Sequence, residues 1–174
     1  MTVLPHLNIP DFPVKIMRVG ESLRIRDDLR GKYVALTPEE YVRQRFTAWL
    51  THDLHYPPSL MNNEVALDVN GTRRRCDTVV FDRDGSHFMI VEYKAPEVRI
   101  TQDVFDQIAR YNMVLHARYL VVSNGLQHFC CRMDYAAAWD WDTFVKNAQL
   151  LTIDSEGRNA LDPNFDPENI DIYG

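Results

Sequence analysis

Residues 64–93, with the sequence EVALDVNGTRRRCDTVVFDRDGSHFMIVEY, decide the fold of this chain. They contain three runs that are rich in β-branched and aromatic residues, which favour β-strands. The runs are separated by Asn70-Gly71 and by Asp84-Gly85, and such dipeptides are typical of tight hairpin turns. We therefore predict an antiparallel meander of three strands.

Helical spacing of apolar residues appears on both sides of this meander. The preceding segment, TPEEYVRQRFTAWLTHDL, begins at Thr37, a good capping residue, and places Val42, Phe46 and Leu50 on one face. The following segment, over residues 101–115, predicts a second helix. The expected fold class is therefore α/β, with a mixed sheet that contains the meander and is flanked by helices.

The ends of the chain carry weaker signals. Before residue 37, the runs VKIMRV, SLRIR and KYVAL predict one or two short strands. RYLVVS and HFCCRM flank Asn124-Gly125 and predict another hairpin or additions to the sheet edge. AAAWDWDTFVKNAQLL, over 136–151, predicts a terminal helix. We expect one domain over 1–174, with a core at about 37–133, a strand extension at 1–36, and a helix and tail at 134–174.

The composition is that of a folded protein that acts away from membranes. A net charge of −6 over 174 residues argues against non-specific coating of nucleic acid, which needs many Lys and Arg contacts. No apolar run approaches the roughly 18 residues of a membrane helix, and the first residues lack a signal pattern, so we expect a cytoplasmic protein. The three cysteines show no disulfide or zinc spacing and are expected to be reduced.

Two strands of the meander carry charges at positions that should face inward. Because side chains alternate along a strand, Ile90, Glu92 and Lys94 share one face, and Asp77 shares a face with Val79 on the neighbouring strand. A buried charge is costly unless it is paired or binds a cation. Two such carboxylates can hold Mg²⁺ or Mn²⁺, which activates water for attack on a phosphate. A salt bridge with Lys94 is the alternative explanation.

Four stretches, PEEYVRQRF, RRRCDTVVFD, IVEYKAP and FDQIARYN, resemble in their order the PD-(D/E)xK nuclease superfamily. Within it they resemble the N-terminal nuclease domain of the motor (R) subunits of type I restriction enzymes. The resemblance implies a restriction-endonuclease-like core, with Asp77 and Glu92 as metal ligands and Lys94 as a catalytic residue. It also implies Gln107 and Tyr111 as residues that line the site, Gln107 in the catalytic set and Tyr111 on the substrate.

The sequence departs from the family pattern in two respects. Cys76 stands where the family has a proline before the metal-binding aspartate. No Gly-rich phosphate-binding loop ending in Lys and Ser or Thr occurs, so we do not expect ATP-driven translocation from these residues.

The resemblance also calls for a glutamate on the helix before the meander, where Glu39 and Glu40 are adjacent. Helical spacing places Glu39 in line with Val42 and Phe46, toward the core. Glu40 points away, and its carboxylate can reach back to the N–H of the capping residue Thr37. We choose Glu39 as an auxiliary metal-site acid. The alternative is that both acids simply favour the positive end of the helix dipole.

Basic residues cluster locally despite the acidic balance. Arg43, Arg73 and Arg75 belong to such clusters and are our candidates for contacts with the substrate, a solvated surface being the alternative. The expected function is that of a metal-dependent nuclease, a DNA endonuclease that uses Mg²⁺ or Mn²⁺ and that partner proteins can supply with specificity or a motor. RNA or branched DNA stays open as a substrate. So does a second class of function, a nucleic-acid-binding or protein-interaction module without turnover.

Overall fold

The computed structural model describes residues 4–133, residue 135 and residues 149–151. Within this part of the chain there are two helices, α1 (Pro38–His52) and α2 (Gln102–Leu115). The strands are β1 (Ile16–Val19), β2 (Ser22–Asp27), β3 (Lys32–Ala35), β4 (Met61–Val69), β5 (Thr72–Phe81), β6 (His87–Tyr93), β7 (Tyr119–Ser123), β8 (His128–Arg132) and β9 (Gln149–Leu151). A short 3-10 helix, Pro58–Leu60, leads into β4.

The described strands form two sheets. β1, β2 and β3 make an antiparallel sheet, so the N-terminal segment has three strands where one or two were predicted. The larger sheet has the order β4-β5-β6-β7-β8-β9, and all neighbours are antiparallel except β6 and β7. Those two run parallel because α2 carries the chain back across the sheet between them. The predicted meander, β4 to β6, and the mixed α/β fold are confirmed.

Both hairpins of the meander form, but their turns differ. Asn70 and Gly71 have φ angles of 53° and 75°, the left-handed pair that a tight two-residue turn requires. The Asp68 carboxylate accepts a hydrogen bond from the Gly71 N–H at 2.7 Å and closes this turn. The second connection runs over residues 82–86, and there Gly85, with φ 84°, is left-handed. It is a longer loop than the dipeptide alone indicates.

The two helices cover opposite faces of the larger sheet. Phe46 of α1 packs in one buried cluster with Val91 of β6, and Ile108 of α2 packs in another with Ile90. Adjacent strand residues therefore feed different cores, as the alternation of side chains requires. Ile25 of β2 is fully buried in the α1 cluster, so the small sheet contributes to the same core.

The C-terminal prediction is corrected where the structure describes it. The last three residues of the predicted helix form β9, which pairs antiparallel with β8, so that end of the prediction is wrong. The rest of that helix, residues 136–148, and the tail after 151 lie outside the described residues. Among the described helices, none is long and apolar enough to cross a membrane.

Candidate active site

Regular hydrogen-bonded strand pairing is interrupted at the predicted acids, Asp77 and Glu92. Pairing between β5 and β6 ends at Thr78 and Val91, so Asp77 and Glu92 are the next positions along the two strands. On its other side, β5 faces β4, and that pairing omits Glu64, which has a left-handed φ of 58°. The opening lets side chains from both helices reach the ends of the acids.

Asp77 is held from two directions. Its Oδ1 accepts a hydrogen bond from Nη2 of Arg43 on α1 at 2.8 Å, and its Oδ2 accepts one from the Tyr93 N–H at 2.8 Å. Burial raises the pKa of Asp77, and the Arg43 guanidinium opposes that rise. Val79, two residues further along β5, packs in the α2 cluster, whereas the Asp77 carboxylate contacts Arg43 of α1, so the predicted sharing of a face by these two residues is not confirmed.

Glu92 is buried, with 4% of its surface exposed. Its Oε1 accepts hydrogen bonds from Lys94 Nζ at 2.9 Å and from Gln107 Nε2 at 2.6 Å. Gln107 Nε2 also lies 3.1 Å from the Tyr111 hydroxyl, so both predicted α2 residues gather at this carboxylate. The other oxygen, Oε2, is buried and has no hydrogen-bond partner within the described chain.

The electrostatics of the site disfavour several negative charges at once. Burial, and then the charge of Asp77, raise the pKa of Glu92 to about 7, while Lys94 opposes the shift. Burial and Asp77 also raise the pKa of Glu39, the predicted auxiliary acid. Carboxylates that repel one another in this way create a favourable place for a cation.

The structure reverses the predicted orientation of Glu40. Its carboxylate is buried and accepts hydrogen bonds from Arg43 Nη1 at 2.7 Å and from Gln44 Nε2 at 2.8 Å. Thr37 caps α1 as predicted, by accepting from the Glu40 N–H at 3.0 Å, but the Glu40 side chain does not return to the cap. An ion pair with a buried guanidinium outweighs the capping contact. Glu39 is half-buried.

Arg43 has a structural role in place of the predicted substrate contact. Its side chain is 4% exposed, and the guanidinium bonds to Glu40 at 2.7 Å, to Glu64 at 2.9 Å and to Asp77 at 2.8 Å. The pKa of Arg43 is raised because these three carboxylates outweigh the effect of its burial. A guanidinium that is buried and bonded to three carboxylates has little surface to offer a phosphate, so the structure does not support the predicted substrate contact.

The arginines of β5 divide between two faces. Arg73 and Arg75 are exposed, and Arg75 pairs with Glu64 at 3.0 Å. Arg74, which was not among the predicted site residues, lines a cleft together with Gln107 and Tyr111. Strand alternation alone places Arg74 on the opposite face of β5 from Arg73 and Arg75. Only the placement of α2 shows that the face with Arg74 borders the cleft.

The residues fit a divalent cation. No group of three or more His, Cys, Asp or Glu side chains is gathered closely enough for a metal in the described part of the chain. Mg²⁺, however, is commonly bound through one or two carboxylates together with water and substrate phosphates. Asp77 and Glu92 are two such carboxylates, and of their four oxygens only Oε2 of Glu92 has no hydrogen-bond partner in the described chain.

The larger sheet is mixed and has a helix on each face, and Asp77, Glu92 and Lys94 lie where the pairing of β5 and β6 ends. This arrangement is compatible with a restriction-endonuclease-like fold. Residues 38–143, more than half of the chain, match the family described as the type I restriction enzyme R protein N terminus. The chain belongs to this family, which relates it to restriction enzymes and to restriction-modification. A comparison with curated proteins gives no match.

Glu92→Gln is expected to remove a pH dependence of stability. Because the pKa of Glu92 in the folded protein, about 7, lies above its ordinary 4.5, the folded state retains a proton that the unfolded state releases. The metal-free wild type therefore loses stability as the pH rises from about 4.5 to 7, whereas the variant is spared this loss. Melting temperatures in chelator at pH 5 and pH 8 measure the effect.

The control is Glu21→Gln, which removes one carboxylate from the exposed turn between β1 and β2. The melting temperature of Glu92→Gln relative to wild type should be higher at pH 8 than at pH 5. An equal difference in melting temperature between Glu92→Gln and wild type at both pH values would show that Glu92 in the folded protein is ionised from pH 5 to pH 8.

Proposed function

We propose that this protein is a metal-dependent nuclease, a DNA endonuclease that hydrolyses phosphodiester bonds with Mg²⁺ or Mn²⁺ bound by Asp77 and Glu92. The observation that carries the proposal is the state of Glu92. One of its oxygens accepts from Lys94 and Gln107, while the other is buried without a partner in the described chain. A buried carboxylate oxygen without a hydrogen bond is costly, and a bound cation removes that cost.

When bound, the metal would acidify the attacking water and neutralise charge on the phosphate. Lys94 would supply a second positive charge beside it. Burial lowers the pKa of Lys94, but Glu92, Glu39 and Asp77 together raise it by more, so the net shift is upward and the amine stays protonated at neutral pH. A protonated amine donates hydrogen bonds to the water or to a phosphate oxygen and stabilises the charge that develops there.

The remaining predicted residues would orient the acids. Gln107 donates to Glu92 Oε1 and so fixes the carboxylate with Oε2 free for a cation. Glu39 is half-buried at the start of α1, and the charge of Asp77 acts on it, which suits an auxiliary acid that reaches the metal through water. Arg43 would keep Asp77 in place from the opposite side.

A second function, nucleic-acid or protein binding without turnover, is favoured by one observation. Asp77 Oδ1 already accepts from Arg43, so an internal cation neutralises part of the acid cluster. The family suggests DNA interaction and a multi-subunit complex. Partner proteins that supply specificity or a motor fit both functions, so catalysis must be tested directly.

The test is a cleavage assay on plasmid, linear, single-stranded and branched DNA and on RNA, with Mg²⁺, Mn²⁺ or a chelator. We expect DNA cleavage with either metal and none with the chelator. Cleavage of RNA alone would change the substrate class. Folded protein that cuts none of these substrates under any condition would favour the binding module.

Metal binding has its own expected result in thermal melts. Millimolar Mg²⁺ should raise the melting temperature of the wild type, because a ligand that binds the folded state selectively stabilises it. Glu92→Gln should lose that gain, since the amide removes a charged ligand while nearly keeping the shape. An unchanged wild-type melting temperature over millimolar Mg²⁺ would contradict the proposed metal site, independently of the choice of nucleic acid.

A further inference from the structure

A cleft of about 520 Å³ adjoins the candidate active site. One wall is the tip of the β4–β5 hairpin at Asn70, and the other is the side of α2 that carries Gln107 and Tyr111. The volume lies within the roughly 300 to 1,000 Å³ of ordinary small-molecule sites, so a nucleotide unit of a polymer fits.

The cleft is continuous with the candidate active site through a single side chain. Gln107 lines the cleft, and its Nε2 donates to Glu92 Oε1 at 2.6 Å. Tyr111 also lines the cleft, and its hydroxyl lies 3.1 Å from the same nitrogen. A strand whose scissile phosphate lies at Glu92 therefore has its next phosphates beside this cleft.

The charges of the cleft suit an anion. Arg74 reaches it from β5 and Arg110 from α2, and both are exposed. Neither makes a hydrogen bond or an ion pair with the residues that the structure describes, in contrast to Arg43, which is bonded to three carboxylates. Asp103 is the acid among the lining residues, so the cleft has an excess of positive charge in a chain of net charge −6.

We propose that this cleft binds the phosphates that flank the scissile phosphate on the cleaved strand, with Arg74 and Arg110 as the contacting residues. A guanidinium presents a planar pair of donors that matches phosphate oxygens, and here two of them are free of protein partners in the described chain. The proposal rests on the proposed nuclease function. It assigns the phosphate contacts to residues on the α2 side of the sheet, whereas the sequence predicted substrate contacts at Arg73 and Arg75.

The experiment measures binding of a labelled DNA duplex by anisotropy over a range of salt, with Ca²⁺ in place of Mg²⁺. The variants are Arg74→Gln and Arg110→Gln, alone and combined, with Arg83→Gln in the β5–β6 loop as the matched control. The combined variant should bind about 10-fold or more weakly. Its slope of log K against log salt should be shallower by about 2, because each lost phosphate contact removes roughly 0.9.

Two further variants sharpen the test. Asp103→Asn removes the acid that lines the cleft and should tighten binding, an effect that a damaged fold cannot produce. Arg73→Gln removes the predicted contact from the other face of β5. If Arg73→Gln weakens binding and the combined cleft variant does not, the cleft proposal is overturned.

The outcomes also separate the cleft from the nuclease function. Metal-dependent cleavage by wild type together with unchanged affinity in the combined variant would overturn the cleft alone. No binding and no cleavage of any nucleic acid by folded wild type would overturn both. Binding of polyglutamate, dependent on Arg74 and Arg110 and without any binding of DNA, would assign the cleft to an acidic peptide and overturn the proposal.

Discussion

Lys94→Ala is expected to lower the rate of metal-dependent DNA cleavage by about 10²- to 10³-fold, the usual effect of removing one donor that stabilises transition-state charge. The amine lies 2.9 Å from Glu92 Oε1, at the carboxylate that we assign to the metal. Its loss leaves the sheet and both helices intact, because the side chain is partly exposed and makes its ion pair with Glu92. Initial rates at saturating DNA and Mg²⁺ measure the change.

Lys32→Ala, on an exposed position of β3, is the control for the loss of one positive charge. It should cleave at the wild-type rate. If Lys94→Ala also cleaves at the wild-type rate, Lys94 does not act in catalysis, and its salt bridge with Glu92 is its only role at the site. An unchanged melting temperature shows that the variant compared is folded. A parallel fall in rate for both variants would point instead to general electrostatic attraction of DNA.

Arg43→Met is expected to destabilise the fold by about 3 to 5 kcal/mol, the usual loss when one partner is removed from a buried ionic cluster. The guanidinium is 4% exposed and bonds to Glu40, Glu64 and Asp77, so its removal takes away the one cation that all three carboxylates share among the described residues. The more exposed Arg75, at Glu64, and Arg30, 3.8 Å from Glu40, compensate only in part. Urea denaturation followed by circular dichroism gives the free energy of unfolding of each protein.

Arg75→Met is a matched control, because Arg75 pairs with the same Glu64 but its side chain is 70% exposed. Its loss should cost less than about 1 kcal/mol, as for other surface pairs. Adding Asp77→Asn to Arg43→Met should recover part of the loss, since it removes one of the opposed charges. Equal losses for Arg43→Met and Arg75→Met would show that water reaches the cluster.

Local signals explain which features could be predicted from the sequence. Asn70-Gly71 specifies its own turn, and the alternation around Glu92 follows from strand geometry alone. The predicted gathering of Gln107 and Tyr111 at Glu92 came from the family resemblance, because nothing in the helix itself indicates which strand it covers.

The errors have a common physical origin in contacts between distant elements. Glu40 turns inward because Arg43 is buried among acids from β4 and β5, and no pattern within α1 shows this. The proposed choice of Arg74 over Arg73 depends in the same way on a distant element, because nothing within β5 shows which of its faces lies toward α2. The residues 149–151 pair with β8, and three residues at the end of an apolar run carry too little periodicity to distinguish strand from helix.

The left-handed backbone at Glu64 has a consequence for self-association. Among the described strands, β4 lies at one edge of the larger sheet, and an edge strand of nine residues presents a row of N–H and C=O groups to which another chain can add. Glu64, with φ 58°, breaks that row near its middle, and its carboxylate is tied to Arg43 and Arg75. The distortion that opens the strands around Asp77 therefore also makes this edge a poor template for aggregation.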